Sequence, residues 1–173
     1  KPTTFMRLID YTSIIRLAWA AYNPSQTVQA VEDISARVST NHVFRVTLSS
    51  GDRVIAKLSY FGKYEQFRDD HRIIQALANN LLYPFENVLA RAVSKNGQVF
   101  TYYHQDEFVN AWVVFYNPIR TQNRLPARLD ESHIRRLGSE IARFHLACAR
   151  ASTVLPKYTK TLRSDIRGLL DLL

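Results

Sequence analysis

The stretch HVFRVTLSSGDRVIAKLSY, residues 42–60, decides the predicted fold because it contains two strand-like runs joined by a tight turn. In the first run, apolar residues occupy every second position from Phe44 to Leu48, which is typical of a half-buried strand. The turn between the runs contains Gly51, a residue that readily takes a positive φ. The two runs, 42–50 and 53–60, are therefore predicted to form a β-hairpin.

Lys57 lies in the middle of the second strand, where lysine is depleted. Apolar neighbours on both sides of the strand predict that both of its faces are at least half-buried. An ammonium group in such a position requires a nearby anion, which could be a carboxylate of the protein or a phosphate of a ligand. Asp69 or Asp70 in the following segment could supply the carboxylate. Alternatively, Lys57 lies on an edge strand and extends its ammonium group into water.

The rest of the chain combines helical and strand-like patterns, so the predicted class is α+β. Helices are predicted at 13–22 with Ser13 as N-cap, at 63–82, at 131–150 with Asp130 as N-cap, and from Ser164 onward. Further strands are predicted at 27–35, at 108–116, and in a second hairpin made of 87–94 and 98–105 around the turn residues Asn96 and Gly97.

These elements predict three segments along the chain. An N-terminal helical segment covers 1–24, a β-rich lobe covers 25–116, and helices with a polar, basic connection cover 117–173. We expect an antiparallel sheet of about five to six strands with one packed helix, followed by the first helices of an incomplete second lobe.

Net charge, the length of apolar runs and the cysteine content limit the classes of function that this protein can have. The net charge is +8, and most of the excess is carried by the arginine-rich segment after residue 119. A solvated helix face with basic loops is the favoured explanation of this charge, and nucleic-acid binding through 120–150 is the less favoured one. No apolar run is long enough to span a bilayer. The single Cys148 favours a reducing cytoplasm, and no metal-ligand cluster is visible in the sequence.

The order of elements and several motifs together resemble the N-terminal lobe of the aminoglycoside phosphotransferase and choline kinase family, a branch of the protein-kinase-like fold. That family shows an Asn, an apolar strand, a turn with Gly and a strand ending in Lys-Leu, to which Asn41, Gly51 and Lys57-Leu58 are similar. It also has an acid before an apolar helical pattern, where Asp70 precedes IIQAL.

A later family motif is similar to Gly138, Ile141, Ala142 and His145. On its neighbours alone, His145 is expected to be a core histidine rather than a catalytic one.

The resemblance implies a nucleotide site. Lys57 would hold the α- and β-phosphates, and Asp70, or Asp69 beside it, would orient Lys57. The covering loop 35–41 has no glycine, so Ser39 and Thr40 would contact the phosphates, with Asn41 following them. The backbone of a hinge would receive the adenine edge; its residues are Val114, Phe115, Tyr116 and Asn117.

The resemblance also implies a reaction, in which the ATP-binding part of a small-molecule kinase of the aminoglycoside, choline or homoserine type transfers a γ-phosphoryl group to a hydroxyl. Mg²⁺ would assist, but its ligands and the catalytic Asp are expected outside this chain, because no His-x-Asp sequence occurs in it. The alternative is a non-catalytic kinase-like module that uses the apolar stripe 134–149 to bind a partner protein, the missing second lobe or a second copy.

Overall fold

The computed structural model describes residues 9–36, 41–119 and 126–156. The chain forms two compact units, Lys1–Phe67 with Ala92–Pro118, and Arg68–Arg91 with Ile119–Leu173. The helices are α1 (Tyr11–Tyr22), α2 (Tyr64–Asn80) and α3 (Glu131–Ala151), the last followed by a 3₁₀ turn (Ser152–Val154). The strands are β1 (Val28–Asp33), β2 (Asn41–Leu48), β3 (Arg53–Ser59), β4 (Ser94–Lys95), β5 (Gln98–Val99), β6 (Thr101–Gln105) and β7 (Asn110–Tyr116). The predicted α+β class is confirmed.

The first unit is built on a five-stranded antiparallel sheet with the order β1-β2-β3-β7-β6. The predicted hairpin of β2 and β3 is confirmed, and Gly51 in its turn has φ of 87°. β3 pairs with β2 on one side and with β7 on the other. The alternative that placed Lys57 on an edge strand is therefore wrong.

Both faces of this sheet are covered by apolar side chains. On one face, α1 packs its buried residues Ile14, Ile15, Ala18 and Trp19 against the sheet. The indole of Trp19 meets the ring of Phe115 edge-on, with 5.0 Å between the centroids. The other face carries a smaller cluster of Phe67, Val99, Trp112 and Val114. Strand β7 is thus buried on both sides, whereas β3 is buried on the α1 side and half-buried on the other. This difference between the two faces of β3 fixes its register.

The second predicted hairpin differs from the observed one. Its turn is confirmed, with Asn96 at φ of 54° and Gly97 at 77°, but the strands beside it, β4 and β5, have two residues each. The segment predicted as a strand over 87–94 pairs only at its end. β6 instead pairs with β7 along its whole length, from Thr101 opposite Val114 to Gln105 opposite Asn110. The reason is that β7 is buried on both faces and offers a longer partner.

The helix caps confirm one prediction and correct another. Asp130 caps α3, as predicted, by accepting a hydrogen bond from the His133 N–H at 2.9 Å. The prediction of Ser13 as the cap of α1 is wrong, because the helix begins at Tyr11, so Ser13 lies within its first turn and Asp10 is the N-cap. The Asp10 carboxylate accepts from the Thr12 N–H at 3.0 Å and the Ser13 N–H at 3.3 Å. The predicted cap at Ser164 lies outside the described residues.

In the second unit, Arg91 ties the segment after α2 back to that helix. Its guanidinium donates to the Ala78 carbonyl at 3.1 Å, the Glu86 carbonyl at 3.0 Å and the Asn79 side chain at 3.0 Å. α3 exposes the apolar side chains of Ile134, Leu137 and Ile141. His145 is also exposed, so its expected place in a core is wrong. No helix in the described part of the chain is long and apolar enough to cross a membrane.

We expect Asp10→Ala to destabilise the protein by about 1 kcal/mol, because it removes the N-cap of a helix that supplies four core residues. Hydrogen bonds from the Ser13 and Thr12 hydroxyls lower the pKa of the Asp10 carboxyl to about 2. The stabilisation by the ionised carboxylate is therefore present above the unfolded-state pKa near 4 and is lost as the pH falls towards 2. Urea unfolding between pH 2 and pH 7 measures both effects.

Asp10→Asn is the matched control, since asparagine caps about as well as aspartate but does not titrate. It should keep most of the stability at pH 7 and lose part of the acid dependence. An Asp10→Ala protein as stable as the parent at pH 7 would contradict the capping role.

Candidate nucleotide-binding site

Strand pairing places Lys57 in the middle of one face of the sheet. It lies opposite Val43 of β2 and opposite Val114 of β7. Directly opposite residues in an antiparallel sheet project to the same face. Lys57 is half-buried there, and its backbone is held on both sides, so the position of its Cα is fixed by two ladders of hydrogen bonds.

The predicted site residue Asn41 shares this face. Asn41 lies opposite Ser59, which in turn lies opposite Trp112, and these three residues form one row across the strands β2, β3 and β7. The next row on the same face consists of Val43, Lys57 and Val114. The structure thus brings Asn41, Lys57 and Val114 together on one face, as two adjacent rows of the same sheet. Ser39 and Thr40, the predicted phosphate contacts, lie outside the described residues.

An aromatic cluster that sequence reasoning missed lies on the same face of the sheet as Lys57. The Lys57 ammonium nitrogen lies 5.6 Å from the ring centroid of Phe67, in cation–π geometry. Phe67 and Trp112 belong to the buried cluster on this face, with 6.2 Å between their ring centroids. Tyr64 completes the group; its hydroxyl is 2.8 Å from the Thr101 hydroxyl. Only the pairing of β3 with β7 and the start of α2 bring these residues to Lys57, so no local sequence signal could have identified them.

Trp112 adds a polar group to this face. The residue is buried, and its indole Nε1 forms no hydrogen bond with any residue that the structure describes. A buried donor without an acceptor is costly. The indole N–H is therefore a candidate donor to an acceptor that the protein itself does not provide.

The predicted hinge divides into two parts. Val114 pairs with β3 and β6, and the Phe115 carbonyl accepts a hydrogen bond from the Val93 N–H at 2.9 Å. The side chain of Phe115 lies on the α1 face, away from Lys57. Tyr116 ends the strand, half-buried, and burial raises the pKa of its phenol, which stays protonated at neutral pH. Asn117 follows and is exposed.

The two candidate acids lie on α2 in the second unit. Asp69 forms ion pairs with two arginines, at 3.4 Å to Arg68 Nε and 3.6 Å to an Arg72 guanidinium nitrogen. Asp70 is exposed. The assignment of either acid as the partner of Lys57 stays a prediction.

The described residues contain no group of three or more histidines, cysteines, aspartates or glutamates that could hold a metal ion. These residues therefore do not fit a Mg²⁺ site held by protein side chains alone.

No family model matches this sequence, and no curated protein matches it. Among solved structures, the chain is similar to the MAP kinase LmaMPK10 from Leishmania major, with 20% sequence identity and a TM-score of 0.37. The match covers 64% of this chain and 32% of the kinase chain, so it spans about a third of the kinase's length. The relation to the aminoglycoside phosphotransferase and choline kinase family stays a prediction.

A double-mutant cycle tests the contact between Lys57 and Phe67. We expect the free energies of unfolding of Lys57→Met, Phe67→Leu and the double variant to give a favourable coupling of about 0.5 to 1 kcal/mol, which is the range for a partly exposed cation–π pair. Urea denaturation of the four proteins measures it.

The cycle of Arg53→Met with Phe67→Leu is the control. Arg53 is an exposed cation on the same strand and face as Lys57, four residues or about 13 Å away. Equal coupling in the two cycles would show that Lys57 and Phe67 do not interact directly.

Proposed function

We propose that this chain is the nucleotide-binding part of a phosphotransferase with a kinase-like fold, which transfers the γ-phosphoryl group of ATP to a hydroxyl of a small molecule. The observation that carries the proposal is the position of Lys57, a half-buried cation in the central strand of the sheet. A rigid strand positions a single positive charge far better than a loop does, and phosphate binding needs such positioning.

The surroundings of Lys57 support the same function. The sheet face that carries it also carries a buried apolar and aromatic cluster, as small-molecule sites commonly do. An apolar environment strengthens the attraction between an ammonium group and a phosphate, because it lowers the local dielectric constant.

The end of β7 supports a place for the nucleotide base. The Phe115 carbonyl already accepts from the Val93 N–H, and Tyr116 pairs with Ile55 and forms a bridge with Ala92. Asn117, which is exposed after the strand, is therefore the better candidate for the adenine edge. In this proposal, the side chain of Phe115 packs in the core, and Val114 contributes an apolar surface beside Lys57.

The protein would supply binding and orientation in this reaction. Lys57 would hold the phosphates, and the sheet would fix their position relative to the base. The general base and the metal ligands would come from residues that are not among those assigned here. We also propose a cytoplasmic location for this reaction.

Nucleotide titration of Lys57→Met tests the proposal. We expect the parent protein to bind ATP saturably in isothermal titration calorimetry with Mg²⁺ present. The variant should lose at least about tenfold in affinity, because a hydrogen bond to a charged group is worth about 1.5 to 3 kcal/mol.

Arg53→Met is the control, since it removes one positive charge from the same strand and should leave the affinity within about twofold. A folded parent protein that binds no nucleotide, or a Lys57→Met variant that binds as well as the parent, would contradict the proposal.

A second candidate function is that of a kinase-like module that binds a protein partner. The exposure of Ile134, Leu137 and Ile141 along one side of α3 favours it, because apolar side chains at helical spacing usually face another surface. Absent nucleotide binding, combined with self-association that Ile141→Asp abolishes, would favour the module over the phosphotransferase. Nucleic-acid binding is less favoured, because Arg135 and Arg143 of α3 pair with Glu131 and Glu140.

A further inference from the structure

A groove of about 490 Å³ lies in the second unit, between the C-terminal half of α3 and the segment that follows α2. We call it the α3 groove. Its main lining residues are Leu82, Tyr83, Phe85, Arg143, Leu146 and Arg150. None of them belongs to the candidate nucleotide site, and the groove's volume lies in the range of sites that receive ligand or partner side chains.

The groove surface is apolar and unusually exposed. Leu82 is 80% exposed, Tyr83 is 88% exposed, and Leu146 across the groove is 62% exposed. Single exposed apolar residues are normal, but a contiguous group of them around a concavity indicates an interaction site.

One wall of the groove is already ordered by its own contacts. The rings of Phe85 and Phe144 meet edge-on, with 5.6 Å between their centroids. The Arg143 guanidinium lies 5.9 Å from the Phe85 centroid and donates to Glu140 at 2.8 Å. Because these side chains are fixed in the free protein, a partner would bind without the entropic cost of ordering them.

The charges at the groove are of one sign. Arg143 and Arg150 line it, and no aspartate or glutamate does among the residues that the structure describes. Arg143 forms an ion pair with Glu140, whereas Arg150 is exposed and forms no ion pair with a described residue. An arginine in this state favours a carboxylate, which it can bind through two parallel hydrogen bonds.

We propose that the α3 groove binds an acidic amphipathic peptide segment of a partner protein. Apolar side chains of the segment would cover Leu82, Tyr83 and Leu146, and a carboxylate beside them would pair with Arg150. A polynucleotide would pair with the arginines but leave the apolar surface uncovered, so a peptide with both properties fits better. The inference does not rest on the proposed nucleotide site.

Fluorescence anisotropy of the full chain with a labelled peptide tests the proposal. The probe is a fluorescein-labelled peptide of about twelve residues, with leucines at i, i+3, i+4 and i+7 and two aspartates beside them. We expect saturable binding to the parent protein. Arg150→Glu and Leu146→Ser should each weaken it at least about tenfold, because one reverses the charge and the other removes apolar contact.

Two variants of the same helix serve as controls. Arg136→Glu makes the same charge change about 21 Å along α3, and Leu137→Ser removes an exposed leucine outside the groove. Both should bind the probe within about twofold of the parent. Two further probes, with serine for leucine and with lysine for aspartate, should bind at least about tenfold more weakly than the original.

Other outcomes would overturn the proposal. Equal binding of the serine probe, or tighter binding of single-stranded DNA that Leu146→Ser does not affect, would mean a general polyanion surface. A parent protein that sediments as a dimer, and that Arg150→Glu or Leu146→Ser makes monomeric, would assign the groove to a second copy of this chain. Tight binding of the probe only after removal of 157–173 would mean that the chain covers its own groove. The absence of saturable binding to the parent protein would exclude a peptide site in this groove.

Discussion

The pairing of β3 between β2 and β7 is the constraint on which the rest of the first unit depends. Because both edges of β3 are occupied and both of its faces are covered, a shift by one residue would exchange its apolar and polar faces. That shift would move Lys57 into the α1 core and expose Ala56 and Leu58 on the other face. The register that protects the core therefore also fixes the site.

The two faces of the sheet differ in how completely they are buried and in the polar groups that they carry. The face under α1 is fully buried at its centre, where Val46, Ala56 and Phe115 are at or near complete burial. The opposite face carries a smaller apolar cluster, the ammonium group of Lys57 over the Phe67 ring, and the buried indole N–H of Trp112, which forms no hydrogen bond with a described residue. Stability thus rests mainly on the first face, which leaves the second one able to carry polar groups that a well-packed core would exclude.

The second unit shows a comparable division along α3. The side that carries Phe144 packs on Phe85, while Leu146 and Arg150 line a groove and Ile134 remains exposed. A helix whose apolar residues are this exposed derives little stability from packing, so its N-cap at Asp130 and the pair of Arg135 with Glu131 matter more than they would on a buried helix. The exposed surfaces are available for interactions with other molecules.

The sequence by itself determined the elements of this protein. Alternation identified β2, strand-like apolar runs identified β3 and β7, and turn residues identified the hairpin turns at Gly51 and at Asn96 and Gly97. The start of α3 followed from Asp130, and all of these signals are local in the chain. Local signals failed where two candidates competed, at the cap of α1 and at the partner of β6. Only the tertiary structure decided that Lys57 is central rather than at an edge, that Phe67 and Trp112 lie beside it, and that His145 is exposed. The physical reason is that strand order and helix burial depend on contacts between residues far apart in the chain, and no window of sequence contains both partners.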